Sequence, residues 1–389
     1  MADAIHREGA LFTAFEPSGD DHASVVIAEL RRRHPTLPIY AWGGPKMAAA
    51  GATIVERTGD DAVMGMPGLK KIHEHTQINA RIDRWLLTNR VALHVPVDSP
   101  AANFPICKIA RKHGVRVVHL VAPQVWAWGQ WRINKLRRLT NHLMCILPFE
   151  QEWFRTRKIP ATFIGHPLFD TPTDTAALDA AGAHFVPGSP KLAIMPGSRP
   201  KEIERNFPVQ LDAFRRLYAD FPKMTGLIAA TRPAVERRLR QIADKMGGWP
   251  DNLYSISGQT DAVVRWCDAA LVVSGTVSLQ IAKQRKPMVI LYKSNRLLYL
   301  LVGRAVVATR YFTLPNLIAG KRVVPELIPY SGDGAMLYDE ARKLLSSEQE
   351  LQRQRDALDA VCRAFDGTHA GNAATDVIER ELGLVPAAM

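Results

Sequence analysis

Apolar runs of strand length alternate with amphipathic helical stretches from Ala10 to Ile164, and after a polar interval the alternation begins again at Leu192. Strand alternating with helix specifies parallel strands, because each helix must carry the chain back to the start of the next strand. The chain is therefore expected to be α/β, with a doubly wound parallel sheet built twice. Its 389 residues exceed what one hydrophobic core supports and suit two domains of ordinary size.

In the first half the strand-like runs are Ala10–Phe15, Pro38–Trp42, Val91–Val97, Val115–Val121, Leu143–Leu147 and Ala161–Ile164. In the second they are Leu192–Met195, Gly226–Ala230, Tyr254–Ser257, Asp268–Val273 and Pro287–Tyr292. Thr171–Pro190 is rich in Thr, Ala, Asp, Gly and Pro and reads as a linker with a helical turn or two. These features set expected domains at 1–175 and 176–345, with charged helices at 346–389 packing back across both.

In open α/β sheets, ligands bind beyond the carboxyl ends of the strands. Lys191–Glu204 reads there as strand, Pro196-Gly197 turn and helix, with Ile203, Phe207, Leu211 and Phe214 on one helical face. Gly197 allows close approach of the backbone to a ligand, the helix start offers free N–H groups, and Arg199 adds a planar fork for phosphate. Ser274-Gly275-Thr276 repeats that chemistry at another strand end. Two such turns in one half point to a phosphate-bearing ligand. Asp98, just after Val91–Val97, is a candidate general base, although aspartate there is also a common helix cap. Glu16-Pro17-Ser18-Gly19-Asp20 forms the first strand-to-helix turn, with Ser18 or Asp20 as its expected cap. It lacks the three glycines of a dinucleotide fingerprint, so NAD is not indicated. Trp126, Trp128 and Trp131, beside Gln124, Gln130 and Arg132, look like the wall of a sugar or acyl-chain site. His166, in Gly165-His166-Pro167, reads as a structural histidine.

The net charge of +12 favours anionic partners: nucleotide-linked substrates, nucleic acid or an anionic membrane surface. No nucleic-acid-binding signature is present, so nucleic acid is not expected. Cys107, Cys145, Cys267 and Cys362 are widely spaced in apolar stretches and read as buried free thiols, which fits a reducing compartment. The stretch Met1–Gly9 is polar, with no secretory h-region, and no uncharged run reaches membrane-spanning length. A cytoplasmic protein with peripheral membrane contact is expected. Val63–Leu69, followed by Lys70 and Lys71, reads either as a loop packed on the sheet or as a lipid-touching patch. Arg296–Val307 reads as a buried or interfacial helix, and Leu314-Pro315-Asn316-Leu317 as a candidate ligand loop.

Two Rossmann-like halves, phosphate turns in the second and a candidate base in the first match the GT-B plan, in which two such domains face each other across a cleft. Nine short motifs make the likeness specific: Glu16–Asp20, Ala62–Gly65, Val97–Pro100, Pro123–Trp128, Leu147–Glu150, Ile164–Pro167, Met195–Arg199, Ser274–Thr276 and Leu314–Gly320. In this order, over roughly residues 11 to 330, the chain resembles the lipid-A-disaccharide synthase family. The resemblance implies an inverting, metal-independent glycosyltransferase. It would condense UDP-2,3-diacylglucosamine with 2,3-diacylglucosamine 1-phosphate (lipid X) to give the β-1,6-linked disaccharide phosphate and UDP. It implies no cofactor or metal, peripheral contact with the cytoplasmic face of the inner membrane, and leaves a homodimer open. By the same resemblance Asp98 is the base, and Glu16 is a site residue. Arg199, with backbone N–H groups at Ser198 and Ser274, Gly275 and Thr276, holds the diphosphate. Glu202, Gln280 and Asn316 belong to the nucleotide pocket.

Three departures stand out. The family's first turn reads Gly-Glu-Thr/Ser-Ser-Gly-Asp, but here Phe15 and Pro17 replace the Gly and the Thr. After Asp98 the family's Ser/Ala-Pro-Asp-Phe-Asn becomes Ser99-Pro-Ala101-Ala102-Asn103-Phe104, losing a carboxylate. In Gly275-Thr-Val-Ser-Leu-Gln280 an amide stands where the family has a glutamate for the ribose hydroxyls. Two alternatives therefore stay open. One is a GT-B enzyme that uses UDP-N-acetylglucosamine with another acceptor or as a 2-epimerase. The other is a non-catalytic nucleotide- or lipid-binding relative.

Overall fold

A computed structural model describes residues 8–58, 69–294 and 308–384. The segments 63–68 and 296–307, singled out above, lie outside the described residues. The chain divides into two compact units, one of residues Met1–Thr171 with Gly367–Met389, the other of Pro172–Asp366.

The first unit is built on seven strands: β1 (Ala10–Thr13), β2 (Ile39–Gly43), β3 (Thr53–Arg57), β4 (Leu93–Pro96), β5 (Arg116–Leu120), β6 (His142–Cys145) and β7 (Ala161–Phe163). They lie in the order β3-β2-β1-β4-β5-β6-β7, and every pairing is parallel. Both faces of the central strands are covered, so alternate residues enter two different cores. Phe12 and Val118 pack with Val26, Ile27 and Leu30 on one side. Leu11 and Val117 pack with Trp42, Ile82 and Ile106 on the other.

The second unit has six strands: β8 (Lys191–Met195), β9 (Thr225–Ala230), β10 (Leu253–Ser257), β11 (Ala269–Val273), β12 (Met288–Lys293) and β13 (Glu326–Tyr330). Their order is β10-β9-β8-β11-β12-β13, again all parallel. Ile203, Phe207, Leu211 and Phe214 of the helix Pro200–Asp220 are fully buried against Leu192 and Ile194, as their spacing predicts. Phe214 packs against Gly226 of β9, where an added Cβ would stand 2.3 Å from its ring.

Eleven strands coincide with the apolar runs of the sequence; β3 and β13 do not. Both are sheet edges, where one side lacks a partner strand and polar residues are tolerated. Within Thr171–Pro190 a helix forms at Thr175–Gly182, capped by the Asp174 carboxylate, which accepts from Ala177 N–H at 3.0 Å. It docks on the helix Thr260–Trp266 through a two-point Arg265–Asp179 pair at 2.6 and 2.9 Å.

The tail divides between the units. The helix Glu348–Arg363 belongs to the second, where the Gln354 side chain accepts from Met288 N–H and Cys362 packs on Ala282. The helix Ala370–Leu382 belongs to the first, with Ala370, Ala374, Val377 and Ile378 in the same core as Val26 and Leu30. Arg33 binds Glu29 at 2.7 Å, Asp376 at 2.5 Å and Glu379 at 3.1 Å, while His34 meets Glu379 at 2.7 Å. Among the described residues no helix is long and apolar enough to cross a membrane.

Glu379 is nearly buried and pairs with both Arg33 and His34; without it Arg33 keeps Glu29 and Asp376, while His34 loses its carboxylate partner. Glu379→Ala is expected to cost roughly 2 kcal/mol, lowering the first unit's calorimetric transition by about 4–8 °C.

Candidate active site

The direction of winding reverses between β1 and β4 in the first sheet and between β8 and β11 in the second. A crevice opens at such a point beyond the strand ends, which is where α/β sheets bind ligands. Glu16 and Asp98 follow β1 and β4. Ser198, Arg199 and Glu202 follow β8, and Ser274, Gly275, Thr276 and Gln280 follow β11. The strand order therefore gathers these residues into one group per unit. Asn316 falls elsewhere, between β12 and β13.

In the first unit, Asp98 and Ser99 both take left-handed backbone angles, with φ of 47° and 41°. Each such non-glycine residue costs on the order of 1–3 kcal/mol and persists only where its surroundings over-determine it. Here a buried polar chain does so. Asn103 donates both amide hydrogens to the turn, to Val97 O at 3.1 Å and Asp98 O at 2.9 Å. Its side-chain oxygen accepts from Thr13 Oγ1 at 2.7 Å, and the Thr13 hydroxyl meets His94 Nε2 at 2.8 Å. Because Thr13 has one proton to give, His94 must be the donor at Nε2. Burial keeps that ring neutral, its pKa lowered to about 3. Thr13, His94 and Asn103 are fully buried. Asp98 N–H donates to Leu120 O at 3.0 Å, fastening the turn to β5.

The Asp98 carboxyl is half-buried. Burial lifts its pKa above the usual aspartate value; a bond from the Ser99 backbone opposes this, and the nearby Glu16 carboxylate adds to it. A carboxylate tuned upward in this way is a stronger base at neutral pH. Glu16 occupies the N-cap position of the helix Pro17–Arg33, and its side chain makes no capping bond. Asp20 does not cap that helix, as its sequence position suggested. It reaches sideways to cap Pro45–Ala49, accepting from Gly44, Lys46 and Met47 N–H at 3.0–3.2 Å.

The three tryptophans do not form a common wall. Trp126 is buried, edge-on to Phe149 at 4.9 Å, and its indole N–H donates to Glu150 at 2.9 Å. Trp128 and Trp131 are exposed, Trp128 under the Arg132 guanidinium at 3.8 Å. Glu150, the first residue of the short helix Glu150–Arg155 that follows β6, is fully buried, and its second oxygen accepts from Leu147 N–H at 3.0 Å. Burial raises its pKa to about 7 against those bonds, with Asp98 adding to the rise. His166 accepts from Leu168 N–H as a helix cap, a structural role.

In the second unit, Gly197 has φ of 99°, and the Glu202 side chain lies over it. Arg199 is the N-cap residue of Pro200–Asp220 and pairs with Glu202 at 3.0 Å, leaving about a third of its side chain exposed. Ser198 is exposed, as are Gly275 and Thr276, while Ser274 and Gln280 are half-buried. Two residues inside that helix tie the strand ends together. Gln210 donates to Met195 O at 3.2 Å and Leu271 O at 3.1 Å, bridging β8 and β11. Asn206 accepts from Lys293 N–H at 2.6 Å and donates to Glu202 O at 2.8 Å, adding β12. Sequence periodicity marks both only as polar residues on an otherwise apolar helix face.

The family model for lipid-A-disaccharide synthetase matches residues 10–374 of this chain. This chain belongs to that family. The lipid-A-disaccharide synthase of Pseudomonas aeruginosa is 31% identical over 383 residues, spanning 98% of this chain and all of the relative. That of Chromobacterium violaceum is 32% identical over 381 residues, spanning 96% and 98%, and that of Geobacter sulfurreducens 31% over 358 residues, spanning 90% of each. Among solved structures, the co-structure of S. aureus MnaA with UDP superposes with a TM-score of 0.67 at 13% identity, covering 98% of this chain and 99% of that one. A Neisseria meningitidis UDP-GlcNAc 2-epimerase bound to UDP-GlcNAc gives 0.63 at 12%, covering 96% and 99%. These likenesses establish the GT-B fold. The chain is thus a UDP-sugar-dependent glycosyltransferase of lipid A biosynthesis.

Within the lipid-A-disaccharide synthase family, two of the departures now have a physical account. Pro17 sits at the first helical position, where its missing N–H has no partner to lose and its fixed φ suits the helix. Ala101 and Ala102 lie in the first turn of Pro100–Lys112, exposed and half-buried, while Asn103 retains the grip on the Asp98 turn. Asn316 is turned inward. It accepts from Val323 N–H at 2.7 Å and Val324 N–H at 2.9 Å and donates to Val324 O at 3.0 Å. Its amide holds the return to β13. Asn316→Ala is therefore expected to cost about 2 kcal/mol in denaturant unfolding, by leaving the buried Val324 amide and the half-buried Val323 amide without their acceptor.

Proposed function

We propose that this synthase-family protein transfers diacylglucosamine from UDP-2,3-diacylglucosamine to the 6-hydroxyl of 2,3-diacylglucosamine 1-phosphate (lipid X), with inversion and without metal. The products are the β-1,6-linked disaccharide phosphate and UDP. The observation that carries the assignment is the Asp98 turn: a strained, half-buried carboxylate at the switch point of the first sheet, with its pKa raised by burial. Inversion in one step needs a single base to take the acceptor hydroxyl proton as the oxygen attacks the anomeric carbon from the face opposite UDP. Asp98 fills that role, and Glu16 beside it keeps the carboxyl basic. The leaving diphosphate needs positive charge and N–H donors. Arg199 and the backbone at Ser198 and Ser274–Thr276 supply them, with Glu202 holding the guanidinium beside the Gly197 turn. Gln280 is assigned to the ribose hydroxyls. Asn316 contributes to the nucleotide pocket by shaping its loop. Net positive charge and the exposed Trp128, Trp131 and Arg132 suit peripheral contact with an anionic inner-membrane surface on the cytoplasmic side.

Turnover is tested with the two lipid sugars in the presence of chelator, following UDP and the disaccharide phosphate together. UDP release without disaccharide would overturn the acceptor assignment, and loss of turnover restored by a divalent cation would overturn metal independence. Asp98→Asn is expected to keep the fold and UDP binding while lowering kcat by about a hundredfold or more. Undiminished turnover would remove Asp98 from the mechanism. Arg199→Ala is expected to weaken UDP binding much more than uridine binding in calorimetric titration, and equal losses would exclude contact with the diphosphate.

A further inference from the structure

Glu150 is a buried carboxyl whose oxygens accept from the Trp126 indole N–H and the Leu147 backbone N–H, with a further backbone bond at Ile146. A helix cap or turn does not require a buried acid there, and burying a carboxylate costs several kcal/mol in effective terms. The Asp98 charge, on the turn after β4, raises Glu150, and the Glu150 charge in turn raises the thiol of Cys145, at the end of β6. Glu16 faces Asp98 from the turn after β1, and Arg155 faces Cys145. The three elements involved are mechanically joined. Asp98 N–H is bonded to Leu120 O at the end of β5, and the next residue, Val121, takes a left-handed φ of 63° as the tryptophan loop begins. That loop returns through Trp126 to Glu150 at the start of the helix that follows β6.

We infer that Glu150 is a positioning residue for Asp98: it pins the Trp126 loop to the start of the helix that follows β6 and sets the basicity of Asp98 through its own charge. This rests on Asp98 being the base. Burial, with the Asp98 charge, favours the acid form of Glu150, while the bonds from Trp126 and from the Leu147 and Ile146 backbone favour its anion, which brings its ionisation to about pH 7. As pH rises through that point, a second negative charge enters the cluster, and Asp98 becomes the stronger base. The pH profile of kcat/KM then rises in two steps, the lower from Asp98 and the upper near neutrality from Glu150.

The test is that profile, measured by UDP release with the two lipid sugars on the full-length protein. The wild type is expected to show both steps. Glu150→Gln should keep the lower limb and lose the upper step. Trp126→Phe keeps an aromatic ring against Phe149 but removes one bond that favours the anion, and it should move the upper step to higher pH. A purely structural Glu150 would lower activity at all pH values without changing the shape. A single step in the wild type, an upper step that survives Glu150→Gln, or one unmoved by Trp126→Phe would overturn the inference. Should Glu150→Gln fail to fold by circular dichroism, Trp126→Phe decides alone. Full activity in Asp98→Asn would overturn the base assignment itself. An inactive Asp98→Asn with unchanged profiles for the other two variants would overturn the Glu150 role only.

Discussion

The first unit's site depends on a left-handed turn that its own residues disfavour. Asp98 and Ser99 both have positive φ, and neither is glycine. What holds them is a chain of hydrogen bonds from His94 through Thr13 to Asn103 and on to the two carbonyls of the turn. Every member is buried and each donated proton has one acceptor, so the chain has a single direction. Such a chain is costly to leave half-satisfied, which makes it an effective lock on geometry. A carboxylate placed on a relaxed cap would point along the helix start. Placed on this turn, it stands at the mouth of the sheet beside Glu16.

The second unit achieves rigidity by a related device with different residues. Gln210 and Asn206, on a helix otherwise packed through Phe207, Leu211 and Phe214, reach the backbone at the ends of β8, β11 and β12. Helix and strand ends therefore move together, and the Gly197 turn inherits their rigidity. Arg199 is the exposed part of that assembly, oriented by Glu202. In both units an apolar core sets the layer spacing, while a few buried amides and hydroxyls set where the functional side chains stand.

Much of this was legible in the sequence. The central strands were visible because residues buried on both faces read as continuous apolar runs. The edge strands β3 and β13 were not, since half-exposed residues carry no such signal. Glu16, Asp98, Arg199 and Ser274 were found as residues just beyond apolar runs. Thr13, Asn103 and Gln210 were passed over because a polar residue within a strand or helix has no local mark of its partner. Glu150 closed a recognised motif, yet its contact with Trp126 lies in another loop. The tryptophans misled because their clustering in sequence says nothing about which ones face inward.

By itself the sequence determined the periodicities, the turns and the residues at each strand end, because these follow from backbone geometry within a few residues. That was enough for the fold class, the family and the principal candidates. Tertiary structure decided the strand order that sets β1 beside β4 and β8 beside β11. It also decided the division of the tail between the two units and the inward turn of Asn316. These outcomes depend on which distant groups complete one another's buried hydrogen bonds and apolar contacts. Thr13 and Asn103 are ninety positions apart, and only the folded sheet brings them within 2.7 Å.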